Sequence, residues 1–225
     1  MCYNYDVSVV SFVVASISGI FAIYFNQPIL GSLVLCYGLM QLSETFIWKG
    51  IDTNNTNINK IGTKIGKYTL PLHNVAIAIG IIIAYWSDRT KITTWIPLII
   101  GIMFYIGVLF SYSKQKDLND GVTKSCSTNN SCVKGAARLQ WPYNHRYYAL
   151  SYAISVLLLF LYVKPLKSSI SIYVFFTSTW LITMYLGKRN YKIQGSFWCW
   201  SAAIFIPLLV IFNTIITRNT PNLKS

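Results

Sequence analysis

The chain has 225 residues, of which 54% are hydrophobic and only 11% charged. A soluble domain carries roughly a quarter charged residues to cover its surface, so this composition excludes an ordinary globular exterior and makes lipid the main solvent. The formal charge of +13, from 19 Lys and Arg against 6 acids, would otherwise suggest nucleic acid. The cations fall at the ends of apolar runs instead, where they anchor lipid headgroups, so the expected partner is the bilayer and not nucleic acid.

Continuous apolar runs, unlike the period-two alternation of barrel strands, predict helices. A span needs about 20 apolar residues, and seven spans joined by short loops use the whole length. The expected fold is therefore all-α and transmembrane, a single bundle of about seven helices over residues 1–225. The spans fall at 7–25, 29–48, 68–86, 94–112, 147–163, 168–186 and 195–216. The first run lacks a basic leader and a small-residue cleavage site, so it is expected as a retained span. The turn Asn26-Gln27-Pro28 is short enough to force spans one and two into a tight hairpin. Segments 49–67 and 113–146 are polar, rich in Asn, Thr, Ser and Lys, and are expected as loops. Ala15-xxx-Gly19 and Ala76-xxx-Gly80 are small-residue pairs that allow close helix packing.

Alternation of seven spans puts the N-terminus, both long polar segments and the 187–194 turn on one face. That face holds 13 of the 19 Lys and Arg, and the excess of cations there points to an N-terminus in the cytosol. Cysteines point the other way. Cys2, Cys126, Cys132 and Cys199 all fall on the N-terminal face, and four cysteines outside the bilayer core suit disulfides in an oxidising compartment as well as they suit free thiols. Cys2 and Cys199 start spans one and seven, and Cys126 and Cys132 are near enough to close a small loop. Asn54 and Asn129 stand in N-x-[ST] frames, which matter only on a luminal face.

Ionisable residues inside spans are rare, so Glu44 and His73 are the candidate ligand-binding pair. Counted from the span ends, Glu44 lies about 6 Å deep and His73 about 7.5 Å deep from the same face. Adjacent antiparallel spans would then join carboxylate and imidazole. Gln41, Glu44 and Trp48 share one helical stripe, and Pro71 loosens span three just before His73 and Asn74. Trp198, in Gly195-Ser196-Phe197-Trp198-Cys199-Trp200, joins the candidate set from the same face. The Gln140-Trp141-Pro142-Tyr143-Asn144-His145 stretch suits an interfacial aromatic belt. Two histidines exclude a three-His metal site, span seven contains no lysine for a retinal Schiff base, and no nucleophile-elbow or phosphate-loop motif is present. Neither metal nor cofactor is expected.

The opening Met1-Cys2-Tyr3 with Asp6-Val7-Ser8, the run Met40-Gln41-Leu42-Ser43-Glu44 to Trp48, and Gly195 to Trp200 resemble an uncharacterised family of polytopic membrane proteins from large DNA viruses and algae. Members open Met-Cys-aromatic-Ser, and Asn4 stands here in place of the serine. The resemblance covers spans one, two and seven. It implies location and fold, with no activity attached.

Three functions remain open. The chain is a bundle that handles a small solute, ion or ligand between spans two, three and seven on the N-terminal face; a structural component of a viral or host-derived membrane; or a membrane-embedded enzyme using Glu44 and His73. Buried charge and the clustering of polar groups on one face favour the first, and the missing catalytic motifs place the enzyme last.

Overall fold

The computed structural model describes residues 4–113, 123–124, 139–140 and 145–163, and further on 170, 172–174, 177–178, 181, 185, 207–212 and 214–215. Helix α1, Tyr5–Tyr24, begins where the Asn4 side chain accepts the Val7 N–H at 2.9 Å. Asparagine and serine both serve well as N-caps, so Asn4 does here what serine would do. Asn26 then takes a left-handed φ of 58° and turns the chain into α2, Pro28–Asp52, with proline in its first turn. Gly19 and Gly31 hold the two helices at backbone distance. A Cβ on Gly19 would meet Leu35 Cγ at 2.7 Å, and one on Gly31 would meet the Gly19 carbonyl at the same distance. The expected tight hairpin is present.

Segment 49–67 is not a loop. α2 runs on to Asp52, a turn at Asn54 (φ 52°) follows, and Asn55 caps α3, Thr56–Thr69, by accepting the N–H groups of Asn57 and Ile58. Its Asn, Thr and Lys content is the outer face of an amphipathic helix whose inner face is Gly62, Thr63, Gly66 and Thr69, all buried. One turn of 3-10 helix at Leu70–Leu72, around buried Pro71, joins α3 to α4, His73–Ala84. The interruption falls where Pro71 was expected to loosen the span, because proline gives no N–H to the helix ladder. A short turn containing Trp86–Asp88 leads to α5, Ile92–Ser113, and α6 covers His145–Tyr162. A two-residue antiparallel pair, Thr123–Lys124 with Leu139–Gln140, is the one departure from all-α structure among the described residues. The described residues in 170–185 and 207–215 are helical.

Four stretches, Tyr5–Tyr24, Pro28–Asp52, Thr56–Ala84 and Ile92–Tyr112, are long and apolar enough to cross a membrane. Their outward faces are apolar too. Ile17 and Ile20 on α1 are each 62% exposed, and Met103 and Phe110 on α5 are 68% and 62% exposed.

α2 packs antiparallel to the α3–α4 unit along a heptad-spaced seam of Ile29, Cys36, Ser43 and Gly50. Ser43 donates to the Gly62 carbonyl at 2.7 Å and Cys36 to the Thr69 carbonyl at 3.8 Å, while a Cβ on Gly80 would sit 2.5 Å from Ile29 Cα. α4 and α6 run parallel with a constant offset of 77 residues. Asn74, in the first turn of α4, bonds Ser151 near the middle of α6, and the Tyr85 hydroxyl donates to the Tyr162 carbonyl at 2.8 Å where both helices end. Burial, then the Tyr162 phenol and Asp88, hold the Tyr85 phenol above its ordinary pKa. Tyr162 in turn donates to the Thr93 carbonyl, the Trp95 indole donates to the Arg89 carbonyl, and Lys91 pairs with Asp88 at 2.8 Å. Aromatic and charged groups thus gather at the face opposite the N-terminus.

The seam makes two glycines behave oppositely. Gly80→Ala should destabilise the protein by about 1–3 kcal/mol, because its methyl group meets backbone that cannot yield. Gly107, which faces open space, should gain up to ~1 kcal/mol as alanine from helix propensity alone. Unfolding of both variants in detergent checks this, and equal behaviour would refute the seam.

Candidate functional site

The expected stripe on α2 is buried: Gln41, Glu44 and Trp48 are 3%, 0% and 2% exposed. Both carboxyl oxygens of Glu44, the Trp48 indole nitrogen and the Tyr112 hydroxyl lie below the surface. Trp48 and Tyr112 share an apolar cluster with Met40, Ile47 and Val108, so Glu44 stands level with the end of α5. His73 and Asn74 are also buried.

Glu44 and His73 are not level with one another. The register set by Ser43–Gly62 and Cys36–Thr69 puts Glu44 beside Gly62. His73 lies a turn beyond Thr69, opposite the region of Leu33. Ten or so residues separate the two levels, roughly 15 Å of helical rise. Equal depth was expected because span three was counted from Tyr68. The helix starts at Thr56, and His73 is therefore far from its end rather than near it.

What surrounds His73 is a chain of hydrogen bonds between α4 and α6. Its Nδ1 lies 2.7 Å from the Leu70 carbonyl, an oxygen that can only accept, so Nδ1 carries the hydrogen and Nε2 presents a lone pair in the neutral ring. The Ser151 hydroxyl lies 3.5 Å from Nε2, at the outer limit of a hydrogen bond. The Asn74 amide donates to the Ser151 oxygen at 2.8 Å and to the Ser151 carbonyl at 3.1 Å. Its own oxygen accepts from the Ser155 hydroxyl. Ser151 and Ser155 are buried, and a Cβ on Gly101 would touch the Asn74 backbone at 3.1 Å. The cluster therefore lies at the middle of α5 and of α6, half-way through the bundle.

Ser151 and Ser155 were not singled out by sequence. The signal was their spacing of four within an apolar run, the small-xxx-small pattern that brings helices together. Trp198, Cys2, Cys126, Cys132, Cys199 and Asn129 lie outside the described residues. Asn54 occupies the exposed turn before α3. Cys36 is a buried free thiol, and among the described residues no His, Cys, Asp or Glu group could hold a metal ion.

Hydroxyl, imidazole and backbone carbonyl follow one another in the order nucleophile, base and orienting group. The Ser151 oxygen, however, is fully buried and already accepts from Asn74, which leaves no approach for an acyl carbon. The arrangement suits hydrogen bonding to a small polar guest better than covalent catalysis. No family model matches the chain, and no curated protein or solved structure matches it either.

The order of mutational effects follows from this chain. Asn74→Ala removes three hydrogen bonds and should cost about 1–2 kcal/mol, toward the upper end for interhelical bonds in membranes. Ser155→Ala should cost less than about 1 kcal/mol, since Asn74 keeps both of its donor bonds. Thermal unfolding in detergent gives the order, and a reversed one would remove Asn74 from the centre of the network.

Proposed function

We propose that the chain is a multi-pass integral membrane protein that handles a small polar solute or ion at the half-depth cluster of His73, Asn74, Ser151 and Ser155. The carrying observation is a buried polar cluster midway along apolar helices, immediately after a helix interruption. Polar groups at that depth are costly, and broken helices beside half-depth polar sites are how many solute-handling proteins expose backbone and side chains to a guest. Alternation of the helices supports the multi-pass reading. Gln27, in the turn after α1, donates at 2.7 Å to Thr214 near the end of the seventh span, as expected if both lie on the face opposite the N-terminus. Gln41 and Glu44 form a second polar level nearer the N-terminal face, separate from the half-depth cluster. The resemblance to viral and algal polytopic proteins adds a shared location to this reading and no activity.

A structural membrane component is the second reading. The completeness of the hydrogen-bond chain favours it, since donors and acceptors that satisfy one another make a sufficient helix clasp. An enzyme ranks last, for the steric reason given above.

Vesicles containing the purified protein, tested for proton, potassium and glycerol flux, separate the readings. At least one flux should exceed that of protein-free vesicles, and Asn74→Leu should return it to their level. Flux equal to protein-free vesicles for all three probes would leave the structural reading. Labelling of Ser151 by a fluorophosphonate would instead establish the enzyme.

A further inference from the structure

Helix α3 has three sides rather than two. Gly62, Thr63, Gly66 and Thr69 are buried against α2. Lys60, Lys64 and Lys67 recur at steps of four and three residues, which stacks them on one outward side within about 10.5 Å of helical rise. Lys60 and Lys64 are exposed, and Lys67 is half-buried with its ammonium 5.8 Å from the centre of the Tyr68 ring. The third side is apolar: Ile61 is 52% and Tyr68 41% exposed, with half-buried Ile65 between them. That side does not stop with α3. Leu72, Ile79 and Ile83 continue it at helical spacing across the 3-10 turn, and none of the three is buried.

Lipid hydrocarbon accounts for the long apolar stripe but not for the lysines beside its first part. Thr56–Ala84 has 29 residues, about 43 Å of helix against a hydrocarbon core of ~30 Å. The excess falls at the α3 end, because His73–Ala84 holds no Lys, Arg, Asp or Glu. Counting about 20 residues back from Ala84 puts the hydrocarbon edge near Ile65. Lys64 and Lys60 then stand among the headgroups, Lys67 reaches them from just inside on its flexible stem, and Tyr68 takes the depth that aromatic residues favour at an interface. Segment 49–69 carries four lysines and one acid, Asp52. Among the described residues the lysines of α3 form no ion pair, the Lys91–Asp88 pair lying at the opposite face. A soluble acidic partner would match these lysines but would not cover Ile61 and Tyr68, which lead straight into the lipid-facing stripe. A bilayer surface of negative charge covers both sides at once.

We propose that the outer side of α3 is a seat for anionic phospholipids of the leaflet at the N-terminal face, with headgroup oxygens against Lys60, Lys64 and Lys67 and acyl chains along Ile61, Tyr68 and Leu72. This rests on the membrane part of the reading above and is independent of solute handling. Each lysine at a negatively charged surface favours the anionic lipid about fivefold before screening by salt. The contact also acts on the rest of the bundle. Gly62 sits so close to α2 that a Cβ there would strike the Ser43 carbonyl oxygen at 2.7 Å, so α3 cannot shift without α2, and lipid held on its outer side fixes the height of the α2–α3–α4 unit in the membrane.

Local quenching in the full chain tests the lipid preference. With the five native cysteines replaced by serine, a bimane dye on Asn57→Cys sits at the border of the lysine and apolar sides, one turn from Lys60 and Ile61. The protein is placed in phosphatidylcholine vesicles that contain a small fraction of phosphatidylserine or phosphatidylcholine bearing a nitroxide high on one acyl chain. Phosphatidylserine should be enriched beside the dye at least about fivefold over phosphatidylcholine. Lys60→Gln, Lys64→Gln and Lys67→Gln together should lower that enrichment at least about threefold, and the three arginine counterparts should keep it. Salt at about 1 M should lower it in the chain that retains its lysines, a reading that needs no change in α3 charge. Glutamine and lysine are equally good helix formers, so thermal unfolding of the glutamine variant should match that of the parent. Equal quenching by the two lipids would overturn the proposal and leave the lysine side to a soluble acidic partner. Enrichment that survives the loss of all three lysines, or that salt does not lower, would overturn it too. The same dye on Ile79→Cys, with the nitroxide low on the chain, tests the membrane reading beneath it. Quenching at 79 with none at 57 would keep α4 in the bilayer and overturn the seat on α3, whereas no quenching at either position would overturn the membrane reading and the seat together.

Discussion

The antiparallel contact of α2 with the α3–α4 unit governs most of what the other helices can do. Gly50, Gly62 and Gly80 bring the two backbones together at positions where a Cβ would strike the partner's main chain. Contact at that distance tolerates little sliding, because displacement by a single residue would drive a side chain into a backbone atom. The seam therefore fixes the levels of the functional groups as much as it stabilises the pair. Glu44 is held beside Gly62, the 3-10 turn falls near Cys36, and the face of α4 bearing Asn74 is left for α6. α1 and α5, whose outer faces are the most apolar and exposed, attach to this unit from either side.

The chemistry at half-depth is neutral rather than ionic. An imidazole with its hydrogen on Nδ1, an amide and two hydroxyls satisfy one another with directional bonds, and no charge has to be removed from water to assemble them. That is the less costly way to keep polarity inside an apolar bundle, since a buried ion pair must recover several kcal/mol per ion before it stabilises anything. Glu44 is not part of this cluster. It lies closer to the N-terminal face, at the level where α5 ends.

Much of the fold was legible in the sequence because membrane-length apolar runs announce themselves. The described helices fall on the first five expected spans, the described residues in 170–185 and 207–215 are helical, and the hairpin at Asn26-Gln27-Pro28 and the interruption at Pro71 follow from turn chemistry and the missing proline N–H. α3 was not legible for an equally physical reason. Ile58, Ile61, Ile65 and Tyr68 do recur at helical spacing, but the segment is too polar to read as a membrane run, its buried face is glycine and threonine, and its asparagines and lysines resemble a loop. The same polarity affects the site: a span counted from Tyr68 puts His73 near a membrane edge and level with Glu44, whereas the helix from Thr56 puts it farther in. The α6 neighbour of His73 is Ser151, 78 residues later, and parallel packing at that separation leaves no local trace. Glu44, Gln41 and Trp48 were legible as a buried stripe because helical spacing alone puts them on one face.

The parallel pairing of α4 with α6 also has a consequence for how the protein is made. Asn74 reaches its partner only after 77 further residues have been synthesised, which at ordinary elongation rates of about 5–20 residues per second takes roughly 4–15 s. In a chain whose helices enter the bilayer in order, α4 spends that interval with its amide and imidazole unmatched by α6. α2 is already made by then, and its glycine seam can shelter the helix during the wait. The half-depth cluster is thus a late assembly on an early platform, and a nascent chain halted before Ser151 would expose to lipid or to an insertion chaperone the polar groups that the finished bundle conceals.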